Sequence, residues 1–331
     1  MKILLAPLNW GLGHASRCVP LVRRLLDEGN EVVLGGDGES LTLLRKHFPK
    51  LRYVYLAPLQ MRYSKGKRQV WAIMKALPAL FVWSLKDHTL LKAVLREEHF
   101  DQVISDNRFG LYLNRPSTVE TVYITHQLHI MLPKGWRWLE LVVERLHARV
   151  YTRFNKVWVP DFEDDEKSLA RELSHPKSEI KNLKSRIEYI GPLSRFTGHP
   201  SPLNKSAYDI VAVLSGIEPH RTLLEKEIVA RYAGKEEKVF IVQGLMNRPN
   251  TRIKRANITI VPYINDEELI EALYGAKHII ARSGYSTIMD FYALGLLPAK
   301  TPNTPTIELT PTPGQPEQEY LAKWIAQKTL F

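Results

Sequence analysis

Two histidines, an aspartate and a series of glycine-bearing loops are the groups in this 331-residue chain whose types and spacing could do chemistry. The first loop, Asn9-Trp10-Gly11-Leu12-Gly13-His14-Ala15-Ser16-Arg17, stands between an apolar run and an amphipathic one. Glycines there let the backbone turn tightly, and the start of a helix offers unpaired N–H groups to an anion. The pattern approaches the dinucleotide fingerprint G-x-G-x-x-G, with Ser16 in place of the third glycine and Asp37 as a candidate ribose-binding acid. Ser105-Asp106-Asn107-Arg108 and Thr125-His126-Gln127-Leu128-His129 each follow a further apolar run. A carboxylate and imidazoles converging at one sheet edge would supply a general base for an acceptor hydroxyl. Turn and strand-end chemistry accounts for Asp106 and Asn107 equally well.

The second half carries another set of small-residue loops: Ser215-Gly216 with Arg221, Gln243-Gly244, and Arg282-Ser283-Gly284-Tyr285-Ser286-Thr287 with Asp290. A loop of this kind opening a helix cradles a diphosphate through backbone N–H groups, with Arg or Ser adding charge or a hydroxyl. Taken alone, Ser283-Gly284 reads equally as a simple helix cap. Thr312-Pro313-Gly314-Gln315-Pro316-Glu317-Gln318-Glu319-Tyr320 supplies amides and carboxylates suited to sugar hydroxyls.

These loops need elements to hold them. Lys2–Pro7, Glu31–Gly35, Leu51–Leu56, Asp101–Ser105, Glu120–Ile124, Lys156–Val159 and Ile187–Ile190 read as short buried strands. Helices are expected over Ala15–Glu28, where Pro20 predicts a kink or a later start, and over Gln69–His99, where Pro78 predicts a kink or an interruption. The alternation restarts at Asp209–Leu214 and continues through Gly284–Leu294. Pro302–Pro313, rich in Pro and Thr, is expected to be an irregular loop. Strand–helix alternation of this kind predicts an α/β fold of two Rossmann-like units with parallel sheets, ligands lying at the carboxyl ends of the strands. The expected boundaries are 1–193, a linker over 194–206, and 207–331.

The net charge of +11 favours anionic partners, and the excess gathers around Arg62–Arg68 and Lys134–Arg153. No nucleic-acid reader motif accompanies it, so nucleic acid ranks last among partners. Pro133-Lys134-Gly135-Trp136-Arg137-Trp138, followed by Leu139–Val150, is basic, aromatic and amphipathic. With Trp71 and Trp83 it suits an anionic lipid surface, and it suits equally a packed helix with basic exposed positions. One cysteine, Cys18, excludes an internal disulfide and a cysteine-based zinc site. No apolar stretch approaches bilayer-spanning length, and the expected location is cytoplasmic and peripheral on the inner membrane face.

Ile260-Val261-Pro262-Tyr263-Ile264, the segment Ile279 to Thr287, and Pro313-Gly314-Gln315 through Tyr320 together resemble the donor-binding half of glycosyltransferase family 28. Gly11-Leu12-Gly13-His14 is similar to that family's N-terminal glycine-rich loop. The resemblance implies a GT-B fold, two Rossmann-like domains whose parallel sheets face each other across a cleft. It places Ile264 at the nucleobase, and Ser215, Gly216, Ser283 and Gly284 along the diphosphate. It places Asp290 at the ribose and Gln318 with Glu319 at the donor sugar. It puts His14 and His126 on the acceptor side, His14 as the better base; the loops themselves add Asp106 as a catalytic candidate and Gly11, Gly13, Asn107 and Gln127 as acceptor-binding ones. Arg221, Gln243, Gly244, Arg282, Tyr285, Ser286, Thr287, Gly314 and Gln315 complete the expected donor side.

The function this implies is an inverting glycosyl transfer from a UDP-type donor, such as UDP-N-acetylglucosamine, to a glycan or lipid-linked hydroxyl. No Asp-x-Asp motif of the metal-holding kind is present, and neither a metal nor a cofactor is expected. A nucleotide-sugar 2-epimerase of the same fold, a nicotinamide oxidoreductase and a non-enzymatic nucleotide-binding protein stay open at this point.

Overall fold

The computed structural model describes residues 1–59, 69–113, 117–175, 184–199, 208–216, 218–297 and 304–328. The chain divides into two compact units with the boundary at Arg195–Phe196.

The first unit runs β1 (Lys2–Pro7), α1 (Gly13–Asp27), β2 (Glu31–Gly36), α2 (Gly38–His47), β3 (Tyr53–Tyr55), α3 (Gln69–Glu97), β4 (Gln102–Asp106), β5 (Glu120–Ile124), α4 (Glu140–Tyr151), β6 (Lys156–Val159) and β7 (Ile187–Tyr189). All seven strands are parallel, in the order β3-β2-β1-β4-β5-β6-β7. Strands covered on both faces need continuous apolar runs, and Ile3–Ala6 and Val103–Ile104 are buried throughout. Leu4, Val33, Val103 and Tyr123 of the sheet share one core with Leu91 of α3 and Tyr151 of α4.

The later start of α1 and the interruption of α3, each expected from a proline, are corrected here. The α1 helix continues through Pro20 and starts at Gly13, earlier than its apolar pattern suggests. Its buried flank of Ala15, Cys18, Val19 and Val22 outweighs the backbone bond that a proline cannot donate. The α3 helix likewise runs unbroken past Pro78.

The second unit runs β8 (Ile210–Val213), α5 (His220–Tyr232), β9 (Val239–Val242), β10 (Ile253–Arg255), β11 (Ile258–Val261), α6 (Asp266–Gly275), β12 (His278–Arg282), α7 (Tyr285–Ala293), β13 (Thr306–Thr310) and α8 (Pro316–Lys328). The strand order is β10-β11-β9-β8-β12-β13, with only β10 antiparallel to its neighbour. Strand β13 corrects the reading of Pro302–Pro313 as an irregular loop. It pairs with β12 from His278↔Thr306 to Arg282↔Thr310. As an edge strand it has one partner and tolerates polar residues, and Pro305 and Pro311 stand outside the ladder, where a missing N–H costs little.

In both sheets the chain reverses direction beside its first strand, between β1 and β4 and between β8 and β12. Loops leaving these strands diverge at the carboxyl edge, and ligands of open parallel sheets bind at such points.

Candidate functional site

His14 opens α1 after β1, and Asp106 ends β4, the neighbouring strand across the reversal. His14 Nδ1 lies 2.8 Å from Asp106 Oδ1. Arg17, one helical turn after His14, gives Nε to Asp106 Oδ2 at 2.6 Å and a second bond from Nη2 to Oδ1. Its Nη1 sits 3.2 Å from His126 Nδ1, at the end of β5. One guanidinium therefore ties three loops around a carboxylate that has no solvent exposure. Arg17 Nη2 is also 2.9 Å from His14 Nδ1. The tautomer that satisfies the carboxylate has Nδ1–H donating to Asp106, which leaves a lone pair on His14 Nε2.

The charges around the ring set its protonation state. Burial lowers the His14 pKa from its ordinary value and outweighs the opposing pull of Asp106, while Arg17 adds to the lowering. The imidazole is neutral at pH 7, the form a base requires. Burial opposes the charge on Asp106, but Arg17 and then His14 hold its carboxyl far below the usual carboxylate range. A buried carboxylate needs such partners to stay ionised.

Asn107, next in the chain, has φ of 61°, a left-handed conformation rare for a non-glycine residue. Its Oδ1 accepts a 2.6 Å bond from the hydroxyl of buried Tyr123. Gly11, at φ of 79°, makes the turn into α1, and Gly13 is that helix's first residue. Gln127 turns away from β5 with its N–H on Thr125 Oγ1 at 3.1 Å. His129 belongs elsewhere: it is buried and bonded through Nδ1 to Glu144 at 2.5 Å, pinning α4.

Arg108 organises the same edge from below. Its five N–H donors meet five acceptors: both oxygens of Asp87 at 2.9 and 2.8 Å, Asp37 Oδ1 at 2.9 Å, Ala57 O at 2.7 Å and Pro7 O at 3.4 Å. Asp37 also accepts from Asn9 Nδ2 at 3.0 Å. This commitment removes Asp37 as the ribose-binding acid of a nicotinamide site. Sequence reasoning did not assign roles to Arg17, Arg108, Asp87 or Tyr123. For Arg17 one signal was available, a cation set among Ala15, Cys18 and Val19 on an otherwise apolar helix flank.

In the second unit the loops after β8, β12 and β13 leave adjacent parallel strands, so Ser215-Gly216, Ser283-Gly284 and Gly314–Glu319 share one edge. Gln243-Gly244 and Ile264 follow β9 and β11, further along the same edge. The helix α7 begins there with Gly284 as its cap residue, no side-chain cap and no acid in its first turn. By contrast α6 is capped by Asn265, which accepts the Glu268 N–H at 2.8 Å, and opens with three acids. Of these two helix starts, the α7 end is the one prepared for an anion. Gly284 has an ordinary φ of −73°, and a Cβ built on it would meet nothing nearer than Thr287 Oγ1 at 4.0 Å. Neither torsion nor packing within the chain requires glycine at this position. Tyr285 is buried at the helix start, and Ser286, Thr287 and Asp290 are half-buried along its first two turns.

Several side chains expected to face a ligand are held by the protein itself. Arg282 is buried and directs its Nη groups to the carbonyls of His220 at 2.6 Å, Pro311 at 3.0 Å and Thr310 at 3.4 Å. It forms no ion pair among the described residues, and its positive charge, felt at longer range by Glu227, lies beside the α7 start. The Ser283 hydroxyl donates to Gln318 O at 2.8 Å, and Gln318 Oε1 accepts the Thr312 N–H at 2.8 Å. Gln315 N–H closes the same turn on Thr312 O, and Glu319 is exposed. Arg221 pairs with Glu218 and Glu225, and Gln243 Nε2 reaches the same Glu225 oxygen at 2.8 Å. Among the described residues no cluster of metal-ligating side chains occurs.

A scan against protein-family models gives no match. Solved structures that resemble the chain are glycosyltransferases. The glycosyltransferase of kitacinnamycin aligns over 98% of this chain and 84% of its own, with a TM-score of 0.59 at 14% identity. The spinosyn rhamnosyltransferase SpnG, complexed with thymidine diphosphate, aligns over 97% and 84%, with a TM-score of 0.57 at 13% identity. The fold is GT-B. Curated relatives of this GT-B chain are uncharacterized glycosyltransferases of archaea. One from Methanosarcina mazei is 22% identical over 99% of this chain and 84% of its own length. One from Methanosarcina acetivorans is 23% identical over 89% and 78%. The homologues of the chain, by sequence and by structure, are thus glycosyltransferases.

Proposed function

We propose that the chain transfers a sugar from a nucleoside diphosphate donor to an acceptor hydroxyl, with inversion at the anomeric carbon and without a divalent metal. The observation that carries this reading is the His14–Asp106 pair, a neutral imidazole held by a buried carboxylate at the reversal of the first sheet. His14 Nε2 takes the hydroxyl proton as the acceptor oxygen bonds to the anomeric carbon. The bond from that carbon to the diphosphate breaks, and the diphosphate leaves with the electron pair. The uncapped α7 start and the buried charge of Arg282 stabilise that leaving group, the work a divalent ion does elsewhere. Arg282 does so through its field, since its Nη donors are engaged.

Thymidine diphosphate in SpnG supports a pyrimidine nucleotide, and a UDP-sugar is the proposed donor, with N-acetylglucosamine the proposed sugar. A glycan or lipid-linked alcohol is the proposed acceptor. Asp290 is assigned to the ribose, Ile264 to the base, and Glu319 with the free amide end of Gln318 to the donor sugar.

The donor half is tested by a pair of substitutions. Gly284→Ala is expected to leave the melting temperature within a few degrees of wild type, because the added methyl is accommodated. It is expected to weaken UDP binding by about tenfold or more, because the methyl stands where backbone must approach phosphate. Ser283→Ala is expected to do the reverse, costing about 1 kcal/mol of stability through the lost Gln318 bond with UDP affinity unchanged. Titration calorimetry and thermal melts read both, and equal UDP affinity in Gly284→Ala and wild type removes the phosphate from this helix. Activity is expected to persist in excess chelator; complete loss contradicts the metal-free reading.

A further inference from the structure

Asn107 stands between the two histidine loops. It follows Asp106, which is level with Pro7 of β1 on one side and Ile124 of β5 on the other. The loops that lead to His14 and to His126 leave from those two neighbours. Among the described residues Asn107, Arg171 and Ala256 adopt a positive φ without being glycine. Asparagine tolerates that conformation better than most residues, which by itself accounts for a turn. It does not account for the partner of the side chain.

That partner is Tyr123, a residue of β5 with no solvent exposure. Its ring packs on Phe154, 4.9 Å between centroids, and stacks on Tyr151 at 6.4 Å. Burial pushes the phenol pKa up, so the hydroxyl keeps its proton. The proton has one acceptor among the described residues, Asn107 Oδ1 at 2.6 Å. This bond decides which way the amide points. A flipped amide would donate to the phenol oxygen and leave the hydroxyl proton buried without an acceptor. Oδ1 is therefore engaged inward and Nδ2 is turned away, with no hydrogen bond to another described residue. Asn107 is half-buried, and its Nδ2 is not among the sealed side-chain atoms that lack a partner, so it reaches solvent.

Phe109, two residues on and also half-buried, adds an aromatic surface nearby, edge-on to Trp83 at 6.3 Å. Trp83 itself is buried, with Nε1 on Ala57 O at 2.8 Å, which corrects the expectation that it joins a lipid-facing group. Trp71 and Arg62–Arg68 lie outside the residues whose side chains are described. No described helix is long and apolar enough to cross a membrane.

We infer that Asn107, fixed in this sense by Tyr123, donates its Nδ2–H to the acceptor substrate, and so selects acceptors that carry a carbonyl or ring oxygen near the reacting hydroxyl. A site built to donate a hydrogen bond rejects an analogue that lacks the accepting group, because the amide is then left unpaired. Tyr123 touches no substrate and acts as a positioning residue. The inference rests on the transferase reading and adds the chemistry of the acceptor to it.

The test supplies UDP-N-acetylglucosamine with octyl N-acetylglucosaminide, which has a carbonyl and a ring oxygen, or with 1-octanol, which has neither. Sugar transferred to the alcohol and sugar released to water are measured in the same reaction. Wild type is expected to prefer the glycoside. Asn107→Asp keeps the turn and the Tyr123 bond but puts an oxygen in place of Nδ2, and Asn107→Gly keeps the turn without the side chain. Both are expected to lower the ratio of transfer to hydrolysis by about threefold to tenfold, the usual worth of one hydrogen bond. Tyr123→Phe frees the amide to flip and is expected to lower it by about twofold. Loss of folded protein lowers both products and leaves the ratio where it was. An unchanged ratio in Asn107→Gly overturns the role of the amide, and an unchanged ratio in Tyr123→Phe overturns its positioning. If Tyr123→Phe unfolds, the two Asn107 variants carry the test. Hydrolysis without transfer to the glycoside, or equal transfer to octanol, overturns the inference and leaves the transferase reading in place. Absence of UDP release in every reaction sinks that reading, and the inference with it.

Discussion

His14→Ala is expected to lower kcat by about two to four orders of magnitude, the usual contribution of a positioned general base, with UDP affinity unchanged. The variant loses the Nε2 lone pair, while the phosphate site proposed in the other unit keeps every group assigned to it. The pH dependence gives a second readout. The His14 pKa is lowered from 6.5, mainly by burial, and a general base acts in its neutral form. Wild-type activity should therefore rise with pH through a value below 6.5 and be level by neutrality. In the alanine variant that acid limb should vanish from the residual rate. A uniform drop that keeps the limb, or an equal loss in UDP binding, would show that His14 is not the base. Steady-state rates across pH and a UDP titration separate these outcomes.

Arg17→Met is expected to have the largest effect on stability. The substitution roughly keeps volume but leaves Asp106, with no solvent exposure, without its cation. Removing one partner of a buried pair costs about 3–5 kcal/mol, because the remaining charge is uncompensated. In the wild type Asp106 is held far below its usual pKa. A depressed carboxylate contributes stability that is fully present above the unfolded value and is lost as pH falls through the folded one. In the variant the His14 bond remains to oppose burial, so the Asp106 carboxyl is expected to rise from its depressed position. The deficit should then be largest at neutral pH and narrow as pH falls through the ordinary carboxylate range. Denaturant melts at several pH values measure it, and a deficit independent of pH assigns Arg17 a packing role only. Arg17 also holds the His14 pKa down, so the acid limb of the remaining activity should move to higher pH.

These two substitutions mark the limit of what the chain reveals unfolded. The sequence by itself determined the α/β alternation, the two restarting units, and the loops that carry the chemistry. Each rests on local signals, in that apolar runs of strand length ending in Gly, Ser or Asp identify carboxyl strand ends without knowledge of neighbours. His14, Asp106 and His126 were legible as candidates for that reason. Edge strands were less legible: β10 (Ile253–Arg255) and β13 (Thr306–Thr310) have a single partner, so no long apolar run identifies them.

Only the tertiary structure decided which candidates meet and which polar groups are already engaged. His14 and Asp106 are 92 residues apart, and Arg17 and His126 are 109 apart. Their contact follows from strand order, which local periodicity does not encode. An arginine reads alike in sequence whether it is solvated or sealed around a carboxylate, so Arg17 and Arg108 emerged only with their partners. The same holds in reverse for Ser283 and Gln318, which bond to their own backbone. Burial is a property of the folded chain, and it alone separates a charge that shapes a site from one that sits in water.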